Sequence, residues 1–196
     1  MEYSQTVTRI ALNSNPEKEL SKPFSLIPFL GSKATPIPPA NREEVEISYE
    51  EVSQEAASQY GQDWRVLEAV AYHESRMNYL ALGRANDMGL MQIIPSTWNQ
   101  WAPKVRVYDP YDPYSNISVG AAYLAHVRDF CVQRGHTEPH CMLVAYNWGP
   151  KRVGELFARG GSWEEVPAPQ RQYALSILEM AGNRGGGLDT TQLSVG

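Results

Sequence analysis

One glutamate stands where a carboxyl group is out of place. Trp64, Leu67, Val70 and Ala71 recur at the spacing of a single helix face, and Glu74 follows Ala71 and Val70 by three and four residues, on that same face. A carboxylate that continues an apolar stripe loses hydration when it is charged, so burial raises its pKa and keeps it protonated near neutral pH. A protonated carboxyl of this kind suits a general acid that delivers a proton to a glycosidic oxygen. Position alone favours the plainer reading, a Glu near a helix end that points to solvent or pairs with Arg76 or Arg84. Two later stretches shift the balance. GLMQIIPSTW begins fifteen residues after Glu74, and AYNWGP follows at about seventy. Aromatic rings beside amide side chains suit sugars: the rings cover apolar sugar faces and the amides bond hydroxyl and acetamido groups.

These motifs resemble, in order and spacing, those of the soluble lytic transglycosylases (glycoside hydrolase family 23), to which the goose-type lysozymes are related. The resemblance is carried by Glu74-Ser75 with Asn78, by Gly89-Leu90-Met91-Gln92-Ile93-Ile94-Pro95 with Thr97-Trp98, and by Ala145-Tyr146-Asn147 with Gly149-Pro150. The segment Asp112-Pro113, Asn116-Ile117, Gly120, Tyr123-Leu124 and a late tyrosine, Tyr173, extend it over residues 49–182. It implies a mainly α, lysozyme-like domain with a small loop or β-hairpin region beside an active-site groove.

By the same resemblance Glu74 is the catalytic acid/base and Ser75 supports it by hydrogen bonding. Met91 and Gln92 line the groove near the cleaved bond. Tyr146 brings its hydroxyl close to Glu74, Asn147 is its structural neighbour, and Tyr173 is the late tyrosine. The substrate implied is the glycan strand of peptidoglycan, cut at the MurNAc-GlcNAc β-1,4 bond with formation of 1,6-anhydro-MurNAc. Glycosidases ordinarily use two carboxylates; here one Glu acts first as acid and then as base, helped by the acetamido group of the substrate, and no cofactor or metal is needed. The alternative is a goose-type hydrolase in which Asp87, just before GLMQ, positions water; its plainer reading is an Asn86-Asp87 turn. A wall-binding structural component of a virion or secretion apparatus is the third reading. Several positions depart from the family pattern: Arg76-Met77-Asn78-Tyr79 after the Glu-Ser pair, Trp148 where a small residue is usual, and Gln170-Arg171-Gln172 before Tyr173.

The elements that must hold these residues are helical. Ser48 with Glu51 fits a capping box for a helix Tyr49–Tyr60 that stops at Gly61. Asp63 caps the next helix, which runs to about Arg76. Residues 79–94 read as a loop with a short extended piece, Pro95 opens a short helix through Trp98 and Trp101, and the longest helix runs from 113 or 116 to 135. A further helix begins near Pro139 and ends at Gly149-Pro150, a helix stop, and two more span 150–159 and 169–182. His73 and His126 read as packed or exposed imidazoles rather than partners of Glu74, and Trp98 and Trp148 as the tryptophans that touch sugar. Cys131 and Cys141 flank His136 and His140; the pair fits a disulfide, two free thiols or, against standard ligand spacing, a zinc site.

The 196 residues carry 42% hydrophobic and 20% charged residues and a net charge of −5, ordinary for a globular protein and unfavourable for nucleic acid as a partner. No run approaches the roughly 18–20 apolar residues of a membrane span. Residues 1–47 hold six of the fourteen prolines, no tryptophan and no sustained period of 3.6 or 2, and read as a flexible tail or linker. Residues 48–184 read as the catalytic domain and 185–196 as a flexible end. The expected place of action is the bacterial wall or periplasm. With no secretory signal visible, the expected delivery is by a virion, a secretion apparatus or a holin, the tail serving as attachment, unless the chain is a piece of something longer.

Overall fold

The computed structural model describes residues 6–12 and 42–184. The chain divides after Ser48 into two compact units. In the first, strand β1 (Thr6–Leu12) pairs antiparallel with β2 (Arg42–Ser48), Val7 opposite Ile47 and Arg9 opposite Val45. This corrects the reading of residues 1–47 as a tail without strand period. The alternation Glu44-Val45-Glu46-Ile47 is a strand pattern, but it is short and has no tight-turn signal next to it. Residues 185–196, expected to be a flexible end, lie outside the described residues.

The second unit is helical. Its helices are α1 (Tyr49–Tyr60), α2 (Trp64–Ser75), α3 (Pro95–Val105), α4 (Pro113–Val132), α5 (Pro139–Trp148), α6 (Pro150–Ala158) and α7 (Ala168–Arg184), with a short 3-10 helix, Trp163–Glu165, before α7. Four of them open on proline, whose fixed φ and missing N–H suit the first helical position. Asp63 accepts a hydrogen bond from the Arg65 N–H and Asp112 one from the Ser115 N–H, so each carboxylate satisfies an orphan donor and meets the positive end of its helix.

Helix α4 is the axis of the unit and packs against α1, α3 and α5, while α7 closes over α2 and α5. Ile117, Val119, Ala121, Leu124 and Val127 of α4 are fully buried, together with Leu67 and Val70 of α2, Leu143 of α5 and Ile177 of α7. Each large aliphatic side chain so buried contributes about 1.5–3 kcal/mol. Gly120, on the same helix, makes room for a neighbour: a Cβ there would overlap the sulfur of Met91, which is itself fully buried. At the far end of α4, Cys131 is bonded to Cys141 of α5, which decides among the three cysteine states the sequence left open.

Residues 76–94 form the loop region foreseen beside the groove. Arg76 and Met77 both take left-handed backbone conformations, which turn the chain sharply off α2. Isolated bridges join Leu82 to Met88 and Met88 to Ile93, a minimal three-way strand contact.

Candidate active site

Glu74 sits on the last turn of α2, half-buried, at the wall of a groove of about 420 Å³. The same groove is lined by Asp87 and Gln92 from the loop, Ile94 and Thr97 at the start of α3, Tyr123 of α4, and Tyr146, Asn147, Trp148, Gly149 and Arg152 at the α5–α6 junction. Tyr173, brought in by α7 from 99 residues away, donates its hydroxyl to Glu74 Oε1 at 2.7 Å. The pKa of Glu74 is pushed up to about 7. Burial is the main cause; the Tyr173 hydrogen bond opposes it by favouring the carboxylate, and the negative charge of Asp87 adds to the rise. The group therefore holds a proton close to neutral pH and can also exist as a base.

Tyr173 is 5% exposed, and its hydroxyl is kept protonated by burial first and by the neighbouring Glu74 charge second. The ring edge of His73 packs on it, the centroids 4.9 Å apart at 81°. His73 thus reaches the acid indirectly, through the tyrosine, and burial lowers its pKa. Tyr146, likewise held protonated by burial and then by Glu74, donates its hydroxyl to the Met91 carbonyl at 2.8 Å. Its ring lies 5.5 Å from that of Tyr123.

The strip after the loop is fixed by Asn116, which is wholly buried in α4. Its amide donates to the carbonyls of Met88 and Pro110 at 2.9 and 2.8 Å, and its Oδ1 accepts from the Met91 N–H at 2.8 Å. One side chain so satisfies three backbone groups, two in the loop and one at Pro110 just before α4. Gln92 then takes a left-handed φ of 46°, held by its own amide, which donates to the carbonyls of Gly89 and Ala81 at 2.9 and 3.3 Å. Gly83 must lack a side chain, because a Cβ there would overlap both the Asp87 carboxylate and the Gln92 amide.

Glu74, Gln92, Tyr146, Asn147 and Asp87 are thus gathered at one groove, with Tyr173 bonded to Glu74 from behind. Three expectations are corrected. Met91 does not line the groove: its side chain fills the space left by Gly120, and its contribution is a backbone carbonyl that anchors Tyr146. The Ser75 hydroxyl donates to the Ala71 carbonyl at 3.0 Å, so it ties the last turn of α2 to itself rather than to the carboxyl. Trp98 is buried. Thr97 faces the groove, and the next residue on a helix turns about 100° away, into the core. Trp148 does line the groove, and His126 is exposed, its ring against Trp101.

Tyr123, Thr97, Ile94 and Arg152 escaped the sequence reading as groove residues. Asn116 escaped it as an organiser, although a polar amide inside an apolar helix was the available signal. Among the described residues no cluster of His, Cys, Asp or Glu could hold a metal ion.

This arrangement has known counterparts. The family model for the transglycosylase SLT domain matches residues 51–165, and the chain belongs to that family. Membrane-bound lytic murein transglycosylase C of Edwardsiella ictaluri is 29% identical over 121 residues, 56% of this chain and 33% of that protein. Membrane-bound lytic murein transglycosylase F of Thiobacillus denitrificans is 33% identical over 149 residues, 68% of this chain and 30% of that protein. Among solved structures, an inactive mutant of the lytic transglycosylase Slt from Pseudomonas aeruginosa superimposes with a TM-score of 0.60 at 25% identity, covering 69% of this chain and 24% of that one. The 70 kDa soluble lytic transglycosylase of Escherichia coli gives 0.59 at 26%, with the same coverage. The chain spans about a third of the length of the curated relatives it matches.

Proposed function

We propose that this protein is a peptidoglycan lytic transglycosylase with Glu74 as its single acid/base. One observation carries the reading: a carboxyl whose pKa is raised to about 7 faces a sugar-sized groove while a buried tyrosine hydroxyl holds one of its oxygens. The names of the matched relatives agree with it.

In the reaction, protonated Glu74 gives its proton to the oxygen that bridges C1 of N-acetylmuramic acid to the next sugar, and the C1–O bond breaks. The acetamido oxygen of the substrate supports the positive charge at C1. Glu74, now a carboxylate and stabilised by the Tyr173 hydroxyl, takes the proton of the C6 hydroxyl as O6 bonds to C1. The 1,6-anhydro ring closes, Glu74 is protonated again, and no water is consumed. Tyr173 thus serves the charged half of the cycle, and burial serves the neutral half.

Hydrolysis is the second reading, supported by Asp87 at the same groove, where its carboxylate could hold a water. Incubating wild type and Glu74→Gln with purified sacculi and weighing the products by mass spectrometry tests both. Anhydro ends released by wild type alone support the proposal. Reducing ends favour the hydrolase, and binding to sacculi without release favours a wall-binding component. The proposed setting is the bacterial wall, with residues 1–48 attaching the domain to a virion or secretion apparatus. A truncation starting at residue 49 that cleaves sacculi but no longer joins such an assembly would support the attachment role.

A further inference from the structure

The hydrogen bond from Tyr173 to Glu74 comes from a side chain with two rotatable bonds that reaches across from α7, so the direction of its ring must be fixed by a neighbour. Among the described residues one aromatic ring packs against it, that of His73. The centroids lie 4.9 Å apart with the planes at 81°, the edge-to-face arrangement that aromatic pairs favour. His73 immediately precedes Glu74 on α2, and successive helical positions point about 100° apart. One turn of α2 therefore makes two contacts with the same tyrosine: Glu74 takes the hydroxyl and His73 takes the ring. The packing of α7 on α2 brings the tyrosine to both. His73 is half-buried, and burial first and the charge of Arg76 second disfavour its protonated form. At neutral pH the imidazole thus meets Tyr173 as an uncharged ring.

We infer that His73 is a positioning residue for the acid: its ring fixes the ring of Tyr173 and so keeps the tyrosine hydroxyl on the Glu74 carboxyl. The inference rests on the reading of Glu74 as acid/base, and it gives a role to a side chain that does not line the groove. The Tyr173 hydroxyl favours the charged form of Glu74. Without the His73 ring, Tyr173 is free to swing and the carboxylate loses its donor. Glu74 then holds its proton more tightly, and the charged half of the reaction cycle rises in energy. The groove itself is untouched, so substrate binding stays as it was.

The test compares His73→Ala, His73→Leu and His73→Phe in the full chain, each alone and combined with Tyr173→Phe. The titration of Glu74 is followed by NMR on chain labelled with isotopic glutamate, its signal assigned by its absence from Glu74→Gln. Values of kcat and KM are measured on solubilised glycan strands. An edge-to-face pair is worth roughly two- to tenfold in an equilibrium constant, so Glu74 in His73→Ala should hold its proton up to about tenfold more tightly, with kcat lowered by a similar factor and KM unchanged. His73→Leu fills the space without a ring and should do the same, which keeps the test decisive if the alanine variant fails to fold. His73→Phe restores a ring and should bring both values back to within about twofold of wild type. With Tyr173→Phe already present, none of the three should move the titration further. An equal shift with and without the tyrosine hydroxyl, a phenylalanine variant as impaired as the alanine one, or a lower Tm with titration and kcat unmoved overturns the positioning role. The NMR titration needs no substrate, so it decides the role of His73 even if wild type leaves sacculi uncut, which is the result that would sink the peptidoglycan reading instead.

Discussion

Replacing Glu74 by Gln should stabilise the protein at alkaline pH and hardly change it in acid. In the unfolded chain the carboxyl titrates at its ordinary value of 4.5; in the native state it titrates at about 7. Below 4.5 both states hold the proton and the residue behaves as a neutral group. As pH rises, the unfolded chain releases its proton first, so native stability falls through the window from 4.5 to about 7 and levels off above it. At 1.36 kcal/mol per pKa unit the loss is about 3 kcal/mol once pH passes about 7.5. Glutamine has the shape of the neutral acid, its carbonyl still accepts the Tyr173 hydroxyl, and it has no charge to desolvate. The difference between variant and wild type should therefore grow from about 0.5 kcal/mol or less at pH 4 to about 3 kcal/mol at pH 8, a Tm gap of roughly 2–4 °C per kcal/mol for a domain of this size. Urea unfolding of both proteins at pH 4, 6 and 8 measures it. A constant difference across that range, or a variant less stable at pH 8, would refute the claim that burial holds the carboxyl neutral.

The same titration should shape activity. Cleavage of sacculi should fall above about pH 7 as Glu74 loses its proton, and this alkaline limb should move up in Tyr173→Phe, which loses a bond favouring the carboxylate, and down in Asp87→Asn, which loses a repelling charge. pH–rate profiles of the two variants check the opposed directions. Gly120→Ala should destabilise the fold by about 1–3 kcal/mol despite alanine's better helix propensity, because its methyl group overlaps the buried Met91 thioether. Since the Met91 carbonyl anchors Tyr146, activity should drop further than stability alone accounts for, as assays at a temperature well below Tm would show. Reducing Cys131–Cys141 opens a loop of ten-residue separation and should cost about 3 kcal/mol, visible as a lower Tm, with cleavage retained below the transition because the bond lies at the far end of α4 from Asn116 and Gly120.

What could be read from the sequence is what local chemistry dictates. Prolines 95, 113, 139 and 150 open helices because their missing N–H costs nothing there, and Asp63 and Asp112 cap because a carboxylate meets orphan donors. The placement of Glu74 on the inner face of α2 follows from the spacing of Leu67, Val70 and Ala71. What could not be read depends on contacts remote in the chain. Whether Met91 points to the groove or the core is decided by an absent side chain at Gly120, 29 positions away. Trp98 and Thr97 both suit a sugar surface by type, and only the docking of α3 on α4 selects which one faces it. The strand pair β1–β2 joins segments whose paired residues lie at least 30 positions apart, Leu12 with Arg42 being the nearest in sequence, so no hairpin signal announces it.

These misreadings share a cause that bears on how the site works. The residues that touch substrate in the proposed reaction rest on others that do not. Asn116 and Gly120, one turn apart on α4, together fix the Met91 backbone, by hydrogen bond and by the space it fills. That backbone holds Tyr146, and α7 independently holds Tyr173 against Glu74. The acid is thus held by α7 through a hydrogen bond that does not run through the loop, while Tyr146 is anchored on the loop's Met91 carbonyl and Asp87 and Gln92 ride on the loop itself. Adjusting the loop can therefore tune the electrostatics at Glu74 through Asp87 without loosening the hydrogen bond that orients its carboxyl. A sequence motif marks where such a group sits; the packing of α4 and α7 determines that it keeps both its proton and its direction.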